Sequence, residues 1–253
     1  MQTGAITAYF DVAQLTLWAF ILFFAGLVVY LRREDKREGY PLLAEGGETT
    51  HGLFPATPEP KTYLLQDGST LTLPRAEKAR TLALSKTDPA EGAPAVPTGD
   101  PLRDAVGPAS YADRADEPDT TWEGEPRLVP LRAAPEFSLD PEDPDPRGYP
   151  VVATDGVVAG KITEAWVDRA EPQVYYYDVK LNDGRTVILP ARLAVVDDTA
   201  QRVTVASITA AQFAGVPAIK NPDVITLLEE DKIAGYYAGG HLYAVPARQE
   251  PLA

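Results

Sequence analysis

The chain has 253 residues, a formal net charge of −14, no Cys and two His, His51 and His241. Without Cys there are no disulfides, thiolate metal sites or Cys nucleophiles, and two isolated His scarcely supply a metal cluster or a Ser–His–Asp triad. The acidic balance argues against a nucleic-acid partner, because phosphates demand a basic surface.

Residues 12–31 read VAQLTLWAFILFFAGLVVYL, without Asp, Glu, Lys or Arg. At about 1.5 Å per residue this run spans roughly 30 Å, the thickness of a bilayer's hydrocarbon core. Its twelve Leu, Ile, Phe and Val residues favour insertion by very roughly −4 to −7 kcal/mol. A bundle-core helix is a poorer reading, because no other helices are predicted to surround it. Trp18 lies inside the span, and Tyr9 and Tyr30 fall nearer its ends, where interfacial aromatics are favoured. A cleaved signal peptide needs basic residues ahead of the apolar run; here Arg32, Arg33, Lys36 and Arg37 follow it. Cytoplasmic flanks are the basic ones, so residues 1–11 are expected outside and the remainder in the cytoplasm. The same four cations are candidates for contact with anionic lipid head groups, at about 1 kcal/mol each.

Residues 40–110 lack helical periodicity and carry Pro at ten positions from 41 to 108. A strand pair is predicted at 61–65 and 70–73, around a Gln66-Asp67-Gly68-Ser69 turn. The remainder is extended. Composition by itself favours disorder, with attachment along a partner's surface as the alternative. Residues 86–147 hold fifteen Asp/Glu against six Lys/Arg. Their acidity reads either as solubility or as a local field that concentrates protons and cations. DPEDPDP at 140–146 reads as a solvated linker.

From Tyr149 onward, short β-branched and aromatic runs predict strands at 157–167, 174–181, 185–190, 192–196 and 202–208. Asn182-Asp183-Gly184 reads as a hairpin turn. Strands at this spacing suggest a small antiparallel barrel or sandwich. Thr226-Leu-Leu-Glu229 matches a capping box for a final helix, with Leu227, Leu228, Ile233 and Tyr237 on one face. Gly239-Gly240 is expected to end it, before HLYAVP returns to the sheet. Trp122 and Trp166 read as core or interface residues, and His241 as a helix-end residue.

Several long strings in register carry a resemblance. REGYPL (37–42), PKTYLL (from Pro60), LTLP (ending at Pro74), PTGDPLRDAVGPASYADR (97–114), FAGVPAIK (213–220) and LLEEDKIAGYYAGGHLYAVP (227–246) are similar to the H-subunit family of purple bacterial photosynthetic reaction centres. The resemblance covers nearly the whole chain. It implies one transmembrane helix plus a cytoplasmic, mainly β PRC-type barrel with a C-terminal helix, in the bacterial inner photosynthetic membrane. The implied layout is 1–11 periplasmic, 12–31 transmembrane, 32–110 an extended membrane-surface segment with short strands, 111–148 an acidic connector, and 149–253 the β domain with its helix. It also implies that the 40–110 stretch is draped over partner surface. The implied function is that of a non-catalytic subunit capping the L and M subunits, supporting assembly and helping to deliver protons to the secondary quinone. Bacteriochlorophyll, bacteriopheophytin, quinones and non-haem iron are expected in partner subunits and none in this chain. Light-harvesting ring polypeptides, a cytochrome subunit and anionic lipids are the further partners it suggests.

On the family's relay segment, matched by VDRAEPQVY at 167–175, the two acidic positions are Asp168 and Glu171. A spacing of three lets both face one pocket on a turn; otherwise they form an acidic surface turn. The chain departs from the family pattern twice. Tyr175 stands where an Arg is expected, removing a cation that would lower neighbouring carboxylate pKa values. Glu123 and Glu125, in Thr121-Trp122-Glu123-Gly124-Glu125, stand where the family's inlet has histidines. Carboxylates can still collect protons there, without an imidazole pKa near about 6.5. The competing readings are a membrane-tethered β-barrel interaction module unrelated to photosynthesis and a membrane-anchored hydrolase. The latter lacks an evident nucleophile–base pair.

Overall fold

A computed structural model of the chain describes residues 4, 11–43, 49–66, 68–75, 80–90 and 92–249. The expectations for Tyr9 and for Asp67 in the predicted turn lie outside these residues. The chain divides into two compact units, Met1–Thr81 and Leu82–Ala253. This boundary falls inside the segment expected to run from 32 to 110.

In the first unit, helix α1 spans Val12–Glu34. Asp11 caps it by accepting the Gln14 N–H at 2.7 Å. The helix is long and apolar enough to cross a membrane by length and composition, and none of its side chains is buried. A 3₁₀ turn, Asp35–Arg37, follows. Short strands β1 (Leu42–Leu43) and β2 (Thr49–Thr50) pair antiparallel. So do β3 (Lys61–Leu64) and β4 (Thr70–Leu73), the predicted strand pair, in the register Lys61↔Leu73.

The four cations behind the span divide. Arg32 and Arg33 are exposed. Lys36 is 3% exposed and donates to the carbonyls of His51 at 3.2 Å, Pro55 at 2.6 Å, and Leu53. Its expected contact with a head group is therefore corrected: all three ammonium protons are satisfied inside the protein. Arg37 is largely covered. It pairs with Glu34 at 2.7 Å and donates to the carbonyls of Glu59 and Leu73 at 2.9 and 3.4 Å.

In the second unit, β5 (Leu84–Lys86) pairs with β6 (Ala95–Pro97). The main sheet contains β7 (Leu128–Pro130), β8 (Pro150–Val152), β9 (Val158–Asp168), β10 (Gln173–Leu181), β11 (Thr186–Pro190), β12 (Ala194–Asp197) and β13 (Arg202–Val205). Its order is β11-β10-β9-β8-β13-β12, with β7 beside β9. All neighbours are antiparallel except β8 and β13, which run parallel. β11 and β12 sit at opposite ends of this order, yet only the 3₁₀ turn Ala191–Leu193 separates them. Three residues reach about 10 Å, so the sheet must curl until its two edges approach. No hydrogen-bonded closure joins them among the described residues. The expected small antiparallel barrel is thus a curled, open, mixed sheet. The parallel pair arises because β13 returns to β8 after three hairpin-linked strands and the edge strand β12.

The core beneath the sheet includes Ile162, Trp166, Val179, Leu189, Ile208 and Phe213. Helix α2 (Leu227–Tyr243) closes it, capped reciprocally by Thr226 and Glu229 as predicted. Ile233 and Tyr237 are buried, and the Tyr237 hydroxyl donates to the Ile188 carbonyl at 3.1 Å. The Gly239-Gly240 pair does not end α2, although glycine costs about 1 kcal/mol in a helix interior. Residues 102–109 lie against this face, burying Leu102, Val106 and Ala109. A Cβ at Gly239 would strike Ala109 and Leu102, and one at Gly235 would stand 2.8 Å from the carbonyl oxygens of Ala109 and Ser110. Close packing therefore overrides the local stop signal. Part of the stretch expected to drape over a partner lies on the chain's own helix. HLYAVP does not rejoin the sheet; it completes α2 and leads to Arg248, which donates to the carbonyls of Ser207 and Gly240, both at 2.9 Å.

Gly235→Ala is expected to cost about 1–3 kcal/mol by overpacking this contact. Urea unfolding of the full chain in detergent checks it.

Candidate proton-handling site

Strand β7 pairs with the last residues of β9, in the register Leu128↔Asp168. That pairing sets Arg127, just ahead of β7, against Asp168. The guanidinium grips the carboxylate: Nε lies 2.9 Å from each Asp168 oxygen and Nη2 lies 2.6 Å from Oδ2. Asp168 Oδ1 also accepts the N–H groups of Ala170 and Glu171 at 2.9 and 3.1 Å. This is the local reason the chain turns after β9. Asp168 is 1% exposed. Burial pushes its pKa up, but Arg127 and the two amides outweigh it and hold the carboxyl below its ordinary value. Asp168 contact raises the Arg127 pKa in turn.

Arg127 gathers two more acids. Its Nη1 lies 3.3 Å from Asp119 and its Nη2 4.0 Å from Glu171. Asp168 and Glu171 therefore approach the same guanidinium, a cation the sequence reading missed. Their environments differ sharply: the Glu171 side chain is 70% exposed.

Glu230, in the first turn of α2, adds a further carboxylate. It accepts the Tyr176 hydroxyl at 2.9 Å. Burial pushes its pKa up; Asp119 adds to this, while Tyr176, Arg114 and Arg127 oppose it. Burial, then the Glu230 charge, drives the Tyr176 pKa upward. The pair lines a cavity of about 230 Å³ with Arg114, Tyr175, Arg192 and Asp231. Arg192 donates to the Tyr175 hydroxyl at 3.0 Å and its guanidinium carbon lies 4.9 Å from that ring's centroid. A guanidinium thus remains beside position 175, supplied by stacking on the Tyr rather than by the residue itself.

Glu123 and Glu125 are brought to neither carboxylate. They are exposed on a tight loop closed by the Thr120↔Pro126 bridge and by the Thr121 N–H to Glu125 carbonyl bond at 2.8 Å. Gly124 takes φ +86° there, a conformation L side chains rarely adopt. Trp122 at the tip is 98% exposed, whereas Trp166 is fully buried. Trp166 donates to Asp178 at 2.8 Å. Asp178 lies opposite Glu164 across β9 and β10, and burial raises its pKa. Arg132 sits 3.6 and 3.8 Å from the two acids, relieving a cross-strand like-charge pair.

Residues 4–133 match the profile of the photosynthetic reaction centre H-chain N-terminal region, and residues 142–212 match that of the PRC-barrel domain. The chain belongs to the photosynthetic reaction centre H-chain family. That family is a non-enzymatic subunit, and membership implies association with the L and M subunits. With one apolar helix of spanning length among its described residues, such a subunit reads as a single-pass membrane protein.

Arg127→Met strips the cation from a buried carboxylate and is expected to cost about 3–5 kcal/mol, read by urea unfolding in detergent. The two acids should also give opposite pH signatures. With a lowered folded pKa, Asp168 contributes stability above its unfolded value of about 3.9, lost as pH falls through the folded value. With a raised folded pKa, Glu230 contributes below about 4.3 and loses that contribution as pH rises through its folded value. Unfolding across pH 3–8 should show the acid-side loss reduced in Asp168→Asn and the loss on raising pH reduced in Glu230→Gln.

Proposed function

We propose that the chain caps the cytoplasmic face of the L and M subunits of a reaction centre, supports their assembly and passes protons toward the secondary quinone. The observation that carries this reading is the pairing of opposite carboxylate environments around Arg127. A buried quinone that has taken two electrons must collect two protons, and a relay needs some groups that hold charge and others that change it. Asp168, held ionised, fixes Arg127 in place. Exposed Glu171 beside the same guanidinium takes protons from water. Glu230, raised by burial and hydrogen-bonded to Tyr176, has its affinity shifted toward working pH and is the carrier that chemistry of this kind requires. Glu123 and Glu125, on their exposed loop two residues ahead of Arg127, form an acidic collecting surface in place of inlet histidines. Arg32 and Arg33 meet anionic head groups where α1 leaves the bilayer.

Glu171→Gln and Glu230→Gln are each expected to slow the second, proton-coupled electron transfer to the secondary quinone by roughly tenfold or more at pH 8. The first charge separation should be unchanged. Flash absorbance spectroscopy of the purified complex reads both steps, and an unaltered second-electron rate removes that residue from the relay.

A further inference from the structure

We infer that Leu53 and Phe54 form a lipid-surface contact, held at the bilayer boundary by the enclosed ammonium of Lys36. The inference rests on reading α1 as a membrane span. Lys36 follows Leu31, the last residue of the apolar run, by five positions. At about 1.5–2 Å per residue that is roughly 8–10 Å. A bilayer whose hydrocarbon layer takes up residues 12–31 therefore has Lys36 just beyond its head-group layer, which is about 5–7 Å deep per side.

A lysine at this depth ordinarily extends its charge to water or phosphate. Here the ammonium is turned inward, onto the carbonyls of His51, Leu53 and Pro55, with its nitrogen 5.2 Å from the Tyr40 ring centroid. Three charge-assisted hydrogen bonds tie the backbone of residues 51–55 to the end of the helix, within one lysine side chain's reach. The side chains held out from this clamp are apolar: Leu53 is 90% exposed and Phe54 81%. Scattered exposed apolar residues need no explanation, but an adjacent pair on a clamped loop beside a lipid-facing helix does.

Charge selects the occupant. Residues 49–58, TTHGLFPATP, contain no Asp, Glu, Lys or Arg in a chain holding 37 acidic residues. The tip is neutral, and exposed Arg32 and Arg33 lie on the adjoining helix turn. An anionic bilayer accepts such a surface, and the apolar tip continues the lipid-facing surface of α1. The pair acts as an interfacial wedge that sets how deeply the unit rides on the membrane.

Because the chain has no Cys, one introduced Cys takes one nitroxide label. The full chain carrying Phe54→Cys, or Phe23→Cys within α1, is reconstituted in phosphatidylcholine–phosphatidylglycerol vesicles. Collisions with oxygen, which partitions into lipid, are compared with collisions with a water-soluble nickel chelate. Both labels are expected to favour oxygen, Phe54→Cys at the shallower depth. Adding Lys36→Met should raise nickel collisions at position 54 several-fold. A position-54 label that favours nickel while position 23 favours oxygen overturns the lipid contact and leaves the span standing. A position-54 label shielded from both reagents reports protein contact and also overturns it. A position-23 label open to nickel removes the span and the inference with it. No response to Lys36→Met overturns the clamp.

Discussion

The buried ion pair between Arg127 and Asp168 is the constraint on which the second unit's chemistry depends. Asp168 closes β9 and Arg127 opens β7, so one carboxylate joins two strands, the turn after β9 and the acidic loop carrying Asp119. Burial by itself raises the Asp168 pKa; the cation and the two amides more than reverse that. Once that charge is fixed, Arg127 becomes a standing positive centre. Glu171 gathers at its rim, and its field reaches Glu230 and partly offsets that residue's desolvation. Arg127 thus lowers the pKa of both Asp168 and Glu230; Asp168 ends below its ordinary value, while burial still leaves Glu230 above its own.

The same economy of basic side chains organises the irregular segments. Extended backbone without a ladder partner must find donors for its carbonyls. In the first unit Lys36 serves residues 51–55, and Arg37 serves Glu59 and Leu73. In the second, Arg132 donates to the Pro222 carbonyl at 2.7 Å and Arg248 serves the end of α2. Long side chains take the place of missing strands, which is how a chain with 24 Pro holds ordered coil. It is also why a run of cations behind an apolar helix of spanning length is not assigned wholesale to lipid: Arg32 and Arg33 are exposed, while Lys36 and Arg37 are used within the protein.

Features set by neighbours in sequence were legible. The apolar span, the β3–β4 pair, the Asn182-Asp183-Gly184 hairpin and the Thr226–Glu229 capping box need only a few consecutive residues, and each is found where its residues predict it. Asp168 and Glu171 could be named only through the family resemblance of VDRAEPQVY at 167–175, since a turn with two acids reads locally as plain surface. Arg127, which gives them their meaning, is 41 positions from Asp168 in sequence, and Tyr176 is 54 from Glu230. Nothing local marks either contact.

By itself, then, the sequence determined the apolar helix of membrane-spanning length, the β-rich character of the second unit, the capped final helix and the absence of thiol chemistry, since each follows from composition or from periods shorter than one element. Only the tertiary structure decided that the sheet stays open with a parallel β8–β13 pair, that Gly239 and Gly240 continue a helix, that Lys36 faces inward and that burial raises the Glu230 pKa. These outcomes turn on what lies across a few ångströms of space from residues far apart along the chain. Burial, close approach and opposing charge act over that distance, and no local pattern encodes it.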